Sequence, residues 1–346
     1  MPNKTVELID PLKDKRLNDW LQGCNDTTIF HSSGWARVLA ESYGYRPVYF
    51  TLYVSGNCRG CLPVMEVDSA LTGKRGVCLS FSDYCGAIVE SKQDFRLLLD
   101  AVLAYGRTRR WRYAEFRGEA HLMSENPSKV YAHHVIELSN DEKLMLSRVR
   151  KSSARNIQTA VKEGVTVDMG NSLQGVLDFY RLHCLTRRRQ GLPPQPRSYF
   201  IKLHELLIAR NLGFIALARQ GDATVAGLIC LHFGSNAIYK YGASDAQMQH
   251  LRANNLLFWE VIKKCGRDGF GRLSLGRTDP DNEGLLNFKN GWGGSRTDLS
   301  YYRYDFAGNA FIHPQERNLE AYRQVLKKLP VSLLRALGKI AYRHMG

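Results

Sequence analysis

The sequence lacks an apolar run long enough to cross a bilayer, and its N-terminus lacks the apolar segment of a secretory signal. A membrane-spanning helix needs about 18 or more consecutive apolar residues, and no such run occurs in the 346-residue chain. The first twenty residues contain several acids and no apolar centre, unlike a signal peptide. We therefore expect a protein that stays in the cytoplasm.

Closely paired cysteines are also scarce. The eight cysteines are scattered, mostly in apolar runs, where a free cysteine behaves as a small hydrophobic residue. Cys58 and Cys61 form one close pair, but Cys78 and Cys85 follow at a spacing too wide for a standard zinc knuckle. P-loops, dinucleotide fingerprints and Ser-His-Asp triads are missing in recognisable context. The sequence therefore predicts no metal and no tightly bound cofactor, and it disfavours hydrolases, kinases and dehydrogenases.

Acidic residues are in deficit, with 33 Asp and Glu against 48 Lys and Arg, a net charge of +15. This charge favours phosphate-rich partners such as tRNA, nucleotide-linked sugars and lipid pyrophosphates, although solubility alone would also explain it. The tail 311–346 has the pattern of two basic amphipathic helices separated by Pro330. Such helices either contact an anionic surface such as the inner membrane or dock on the body of the protein.

The order of apolar patterns predicts an α+β fold in two tandem domains. From residue 171 onward, two helical patterns surround a loop rich in glycine and proline, and three strand patterns, an amphipathic helix and a short buried strand follow. This order is typical of an acyltransferase domain, and the first half repeats it more loosely. We predict a first domain at 1–147, a second domain with the active site at 148–310, and a helical tail at 311–346.

Three segments carry a family resemblance, which extends over roughly residues 25–305. They are KSSARNIQTAVKEGVTV, the long stretch from YKYGASDAQMQHLRANN to GRLSLG, and GLLNFKNGWGG. Together they resemble the FemAB family and the related BioF2-like acetyltransferases of the GNAT superfamily, in particular the subset found with exopolysaccharide and PEP-CTERM protein-sorting systems. The resemblance implies two GNAT-like domains that transfer an acyl or aminoacyl group to an amine of a cell-envelope precursor. The donor would be aminoacyl-tRNA, as in FemAB enzymes, or acyl-CoA.

The second domain supplies the candidate catalytic residues. Lys289 matches the family's Phe-Lys element and would stabilise negative charge on the carbonyl oxygen, while Phe288 beside it would exclude water. The alternative for Lys289 is a stem packed on an aromatic ring with its charge in solvent. Asp279, in an acidic turn, is a candidate base for the attacking amine. Tyr241, near the end of a central strand, would hold a carbonyl or donate a proton.

Other residues are candidates for binding the substrate. Ser244 ends the same strand as Tyr241, and Arg277 ends the following strand, where it would clamp a phosphate. Lys151 and Arg155 belong to a basic cluster suited to the phosphates of a nucleotide sugar or tRNA. Solvated surface charge is the alternative for these three cations.

The first domain contributes Trp35 and Arg37. The segment resembles the family's Trp-x-x-Val-Lys element, but Leu39 occupies the position of the lysine that is expected to contact the precursor's phosphates. Arg37 is the nearest cation in sequence. This departure weakens the expectation of a standard peptidoglycan acceptor and leaves an exopolysaccharide or sorting-system acceptor open.

The loop His250–Asn255 contains no glycine. In acetyl-CoA-using relatives a glycine-rich turn lets backbone N–H groups approach the pyrophosphate, so this loop weighs against acetyl-CoA as the donor. Two alternatives stay open: a CoA-dependent N-acetyltransferase acting on an amino sugar, and an inactive GNAT-like module that binds RNA or other proteins. The sequence does not indicate an oligomeric state.

Overall fold

A computed structural model describes residues 3–118, 120–314 and 320–346. The predicted tail therefore has its segment 315–319 outside the described residues. The described strands are β1 Lys4–Ile9, β2 Arg46–Val54, β3 Asn57–Val67, β4 Arg75–Val77, β5 Tyr113–Arg117, β6 Lys129–Glu137, β7 Val165–Gly170, β8 Gly213–Gln220, β9 Ala223–Phe233, β10 Asn236–Ser244, β11 Arg272–Thr278, β12 Ser295–Asp305 and β13 Ala310–Ile312. The described helices are α1 Lys15–Gly23, α2 Ser33–Tyr43, α3 Lys92–Thr108, α4 Glu142–Arg148, α5 Lys151–Lys162, α6 Leu173–Arg189, α7 Arg197–Leu206, α8 Ala253–Arg267, α9 Glu283–Lys289, α10 Glu320–Lys328 and α11 Val331–Ala341.

The chain folds into two compact units. The first comprises Met1–Ala132, Asp298–Glu316 and Arg343–Gly346, and the second comprises His133–Thr297 and Arg317–Tyr342. The domain boundaries expected from the sequence, between residues 147 and 148 and between 310 and 311, stay predictions.

The first unit is built on a mixed sheet in the order β1-β2-β3-β4-β5-β12, with β13 paired to β12. Neighbouring strands are antiparallel except β4 and β5, which are parallel because α3 connects them across one face of the sheet. The apolar side of α3, with Phe95, Leu98 and Val102, packs on Phe50 and Leu62 of the central hairpin. Ser91 caps the helix by accepting from the Asp94 N–H at 3.1 Å.

The second unit repeats this strand–helix–strand element around the site described below. Its strands β7, β8, β9 and β10 are antiparallel neighbours, and β11 runs parallel to β10, with α8 as the connection. Side chains alternate along β8, so Phe214 and Ala216 join the core beneath α5 and α8. On the other face α6 packs against β9 and β10. The prediction of an α+β protein in which the second half repeats the element order of the first agrees with the strands of these two units.

The basic tail forms two helices on either side of Pro330, as predicted. Proline cannot donate the backbone hydrogen bond that a continuous helix requires. Both helices contact α6 of the second unit. Leu326 and Leu334 are buried, and the Tyr342 hydroxyl donates to the Pro193 carbonyl at 3.2 Å. Of the two arrangements considered for the tail, docking on the body of the protein therefore applies to the side of the helices that contacts α6.

Candidate functional site

The second unit opens where β10 and β11 separate. Their parallel pairing covers only Asn236–Ile238 against Arg272–Ser274, whereas β10 continues to Ser244. The pairing of β10 with β9 shifts register between Tyr239 and Tyr241, which marks a β-bulge. Beyond the parallel pairing, the edge of β10 that faced β11 borders a cavity instead of a strand.

Two adjoining cavities of about 200 and 150 Å³ occupy this opening. They share Ser244, Asn254 and Phe288. The larger is also lined by Thr186, Arg189, Gln190, Gly227, Leu228, Tyr239, Gly242, Ala243, Leu257, Phe258 and Leu285. The smaller also contacts Val225, Ala226, Asp245, Met248, Gln249, Arg252, Ala253 and Asn255. All of these residues belong to the second unit.

An aromatic cluster forms the inner wall of the larger cavity. The ring of Phe258 lies 5.3 Å from Tyr239, 5.4 Å from Phe288 and 4.7 Å from Trp292, measured between centroids. Phe288, a predicted binding residue, therefore forms part of this wall. Aromatic and aliphatic side chains around a few polar groups are typical of a small-molecule site.

Tyr239 is the polar group that the sequence did not single out. Burial raises the pKa of its phenol to about 12, so the phenol stays protonated well above neutral pH. A Cβ atom at Gly242 would collide with the Tyr239 hydroxyl, and the glycine therefore provides the space that this hydroxyl occupies beside the cavity. The alternation of a regular strand would place Tyr239 and Tyr241 on one face, but the bulge separates them.

Tyr241 faces the helices on the opposite side of the sheet. Its hydroxyl lies 2.8 Å from that of Tyr199, and its ring contacts His183 and Phe200. Tyr241 does not line either cavity, whereas Ser244, at the end of the same strand, lines both. Its catalytic role stays a prediction.

Ser244 lies at the junction of the two cavities and is buried. Its backbone N–H donates to the Thr186 hydroxyl oxygen at 3.1 Å, and that hydroxyl lies 3.3 Å from the Ser244 carbonyl, to which it donates. Helix α6 thereby satisfies the backbone of β10 that no longer pairs with β11. Thr186 is a second site residue that sequence patterns did not indicate, because the contact joins positions 58 residues apart.

The glycine-free loop folds into a short 3₁₀ segment, Ala246–Leu251, ahead of α8. Arg252, at the start of that helix, has a φ of 54°, a left-handed conformation that glycine adopts more readily. The side chain of Arg252 borders the smaller cavity, and Arg189 borders the larger one. Both arginines are exposed, and across the described residues no ion pair involves either guanidinium. Each guanidinium can bind an anionic group at the solvent-exposed edge of its cavity, which we call the mouth.

Lys289 is held away from both cavities. The side chain is 3% exposed, and its ammonium donates to the carbonyl of Gly276 at 2.9 Å and to that of Arg277 at 3.3 Å. It therefore fastens the end of β11 to α9. This placement differs from the solvated surface lysine that we considered as its alternative, while the catalytic role stays a prediction.

The remaining predicted residues of the second unit lie outside the cavity lining. Arg277 and Asp279 are half-buried at the turn after β11, where the Asp279 carboxylate accepts from the Asp281 N–H at 3.3 Å. Lys151 and Arg155 are exposed on α5. The Arg150 N–H at the start of that helix donates to the Gly291 carbonyl at 3.0 Å, so α5 is attached just after Lys289.

Trp35 and Arg37 both belong to the first unit. Trp35 is fully buried and packs edge-on against Phe30, with centroids 5.0 Å apart. The Arg37 guanidinium donates to the Leu12 carbonyl at 3.1 Å. Trp35 thus contributes to the core of that unit. The proposed contact of these two residues with substrate stays a prediction.

Neither a metal site nor a membrane-spanning helix is found in the described part of the chain. Within residues 3–118, 120–314 and 320–346, no three His, Cys, Asp or Glu side chains cluster as metal ligands. No helix in those ranges has the length and apolar character needed to cross a membrane.

Comparisons with known proteins identify the fold and match one segment of the chain to a family model. Residues 147–290 match the family model described as acetyltransferase (GNAT) domain. The crystal structure of FemX superposes with a TM-score of 0.68 at 13% identity, covering 85% of this chain and 96% of FemX. The C-terminal domain of a putative lysylphosphatidylglycerol synthetase from Agrobacterium fabrum gives 0.54 at 13% identity, covering 91% and 94%. A tandem GNAT protein from the clavulanic acid biosynthesis pathway gives 0.54 at 11%, covering 91% and 100%.

The search of curated proteins found no significant match. At these identities the structural likenesses establish the fold, and the family model identifies the segment that surrounds both cavities. Residues 147–290 therefore match an acetyltransferase (GNAT) domain, and the predicted GNAT-like fold is confirmed.

Proposed function

We propose that this enzyme transfers an acyl or aminoacyl group to an amine of an anionic cell-envelope precursor, such as a nucleotide- or lipid-linked sugar. The observation that carries the proposal is the opening between β10 and β11, with its aromatic inner wall and two exposed arginines at its mouth. The apolar part suits an acyl chain or amino-acid side chain. The arginines suit a donor or acceptor that carries phosphates.

The reaction needs little from the protein beyond positioning and charge stabilisation. The amine nitrogen attacks the carbonyl carbon, and the bond to the sulfur of acyl-CoA or to the ribose oxygen of aminoacyl-tRNA breaks. That atom leaves with the bonding electrons and takes up a proton, while the amine loses one. Negative charge develops on the carbonyl oxygen, where a protonated phenol is an effective hydrogen-bond donor. The phenol of Tyr239 has this form at neutral pH, as any tyrosine does, and burial extends it to higher pH by raising the pKa to about 12. Asp279 lies outside the lining of both cavities and is kept as a candidate acceptor of the amine proton on the sequence prediction alone.

Two donors fit the proposal. Aminoacyl-tRNA is favoured by the loop before α8, which carries side chains throughout and so keeps its backbone farther from a pyrophosphate than a glycine loop would. Acyl-CoA is the second candidate, favoured by the match to the acetyltransferase domain and by the tandem GNAT neighbour, whose structure was determined "without AcCoA".

The proposal is tested by following group transfer with the purified full chain. Nucleotide- and lipid-linked amino sugars would be incubated with either a labelled aminoacyl-tRNA pool or acyl-CoA, and products identified by mass spectrometry. We expect a product with one donor class. No product from any donor and acceptor pair would contradict the proposal and favour an inactive binding module.

A pair of adjacent arginines provides a matched control for the site. Arg189→Glu reverses a charge that borders the larger cavity, whereas the neighbouring Arg188 is exposed without lining it. We expect Arg189→Glu to raise the KM for the phosphate-bearing substrate roughly 10-fold or more, since charge-assisted contacts contribute about 1.5–3 kcal/mol. Arg188→Glu should change it much less. Equal effects would show that general surface charge, not the cavity mouth, attracts the substrate.

A further inference from the structure

Each of the two tail helices has large apolar side chains that its packing on α6 leaves exposed. Four large apolar side chains are exposed there: Tyr322 at 56%, Val325 at 60%, Leu333 at 46% and Ile340 at 63%. They account for four of the twelve exposed large apolar side chains of the described residues, although 320–342 is a short stretch of the chain. Such a concentration marks an interaction surface and is unlike the scattered apolar residues of an ordinary surface.

Helical spacing shows that the exposed face of α11 is distinct from its docked face. The buried positions Leu334 and Gly338 are four residues apart, and a Cβ at Gly338 would collide with the Pro194 carbonyl oxygen. Leu333 and Ile340 are seven residues apart and therefore share another side of the helix. The helix docks through one side and presents a second apolar side outward.

Charge on the same two helices identifies the class of partner. Residues 320–342 contain five Lys and Arg but one acid, Glu320. Lys328 and Lys339 are exposed, and no ion pair involves either within the described ranges. Cationic side chains beside an exposed apolar face are the combination that binds the interface of an anionic bilayer, where the charges meet lipid phosphates and the apolar groups enter the acyl boundary.

We propose that α10 and α11 form a peripheral binding surface for anionic phospholipid bilayers. This inference does not require the catalytic proposal to be right, because it concerns binding alone. Helix α6, on which the tail packs, also supplies Thr186 and Arg189 to the larger cavity. A bilayer bound through the tail therefore holds that cavity near acceptors that are embedded in the membrane.

The test is co-flotation of the full chain with vesicles. Vesicles of phosphatidylcholine with about 30% phosphatidylglycerol would be compared with pure phosphatidylcholine vesicles at low and high salt. We expect binding to the anionic vesicles that salt weakens. Ile340→Asp should lower the partition coefficient roughly 10-fold or more. Lys339→Glu changes the charge by two units, and each unit should lower the partition coefficient roughly 5-fold.

Matched controls come from α5. Val161 is 58% exposed, close to the value for Ile340, and Lys162 is an exposed lysine beside it. Val161→Asp and Lys162→Glu should leave vesicle binding unchanged, and circular dichroism would verify that all four variants fold. The proposal is overturned if anionic vesicles do not bind the protein, or if the α5 variants lose as much binding as the tail variants. If the protein binds RNA but not vesicles, and Ile340→Asp binds RNA as well as the wild type does, the partner of the tail is a polyanion and not a bilayer.

Discussion

Replacing Lys289 by methionine separates a structural role from a catalytic one. The change removes the ammonium but keeps a long unbranched side chain, so little volume is lost from a position that is 3% exposed. The carbonyl oxygens of Gly276 and Arg277 each lose a donor, at 2.9 and 3.3 Å. Leaving a buried acceptor unpaired costs about 1–3 kcal/mol. Because the Arg277 carbonyl is only partly buried, we expect a total loss of about 2–4 kcal/mol in the free energy of unfolding.

The assay is urea unfolding followed by tryptophan fluorescence and circular dichroism. With a denaturant dependence of about 3 kcal/mol per molar, the expected loss lowers the midpoint of the affected transition by roughly 1 M. Lys202→Met is the control, because that ammonium is exposed in an ion pair with Glu205 at 2.9 Å, and such pairs contribute less than about 1 kcal/mol. The reasoning is refuted if Lys289→Met keeps the wild-type midpoint while turnover is abolished, since the ammonium would then act on the reaction and not on the strand.

Three further outcomes are expected. Tyr239→Phe should lower kcat roughly 100-fold with little change in the unfolding midpoint, because it removes a donor from the cavity and leaves the ring contacts. Gly242→Ala should also reduce kcat, through its collision with the Tyr239 hydroxyl, while Gly170→Ala, with open space at its Cβ position, should not. His183→Gln should flatten the decline of stability between about pH 6.5 and pH 3, because the pKa of His183 is lowered to about 3, first by burial and then by nearby Arg187.

The sign of the pH effect follows from proton binding. The folded protein keeps His183 neutral above about pH 3, whereas the unfolded chain binds a proton below about pH 6.5. Stability contributed by this group is therefore complete above pH 6.5 and falls by about 1.4 kcal/mol per pH unit below it. Glutamine retains a donor for Gln195, whose side-chain oxygen lies 2.7 Å from the histidine ring. Parallel pH profiles for the wild type and His183→Gln would contradict the assignment.

A Tyr239→Phe enzyme with unchanged kcat would show that the phenol takes no part in the proposed reaction.

The element order was accessible from the sequence because it depends on local signals. Apolar residues at helical spacing predicted α6, and Gly and Pro marked its end. Pro330 divided the tail where the two helices meet. Ser244, which the sequence placed at the end of the central strand, and Phe288, in the element after β11, both border the opening.

What tertiary structure decided is the direction in which side chains point. The bulge in β10 turns Tyr239 to the cavity and Tyr241 to the helices, and a register shift against a neighbouring strand leaves no local pattern in the sequence. Thr186 meets Ser244 only after α6 packs on the sheet. The sequence determined which elements form, since propensity and periodicity act over a few residues. The site was decided by tertiary structure, because contacts between distant segments fix which polar groups are buried, paired or left facing the cavity.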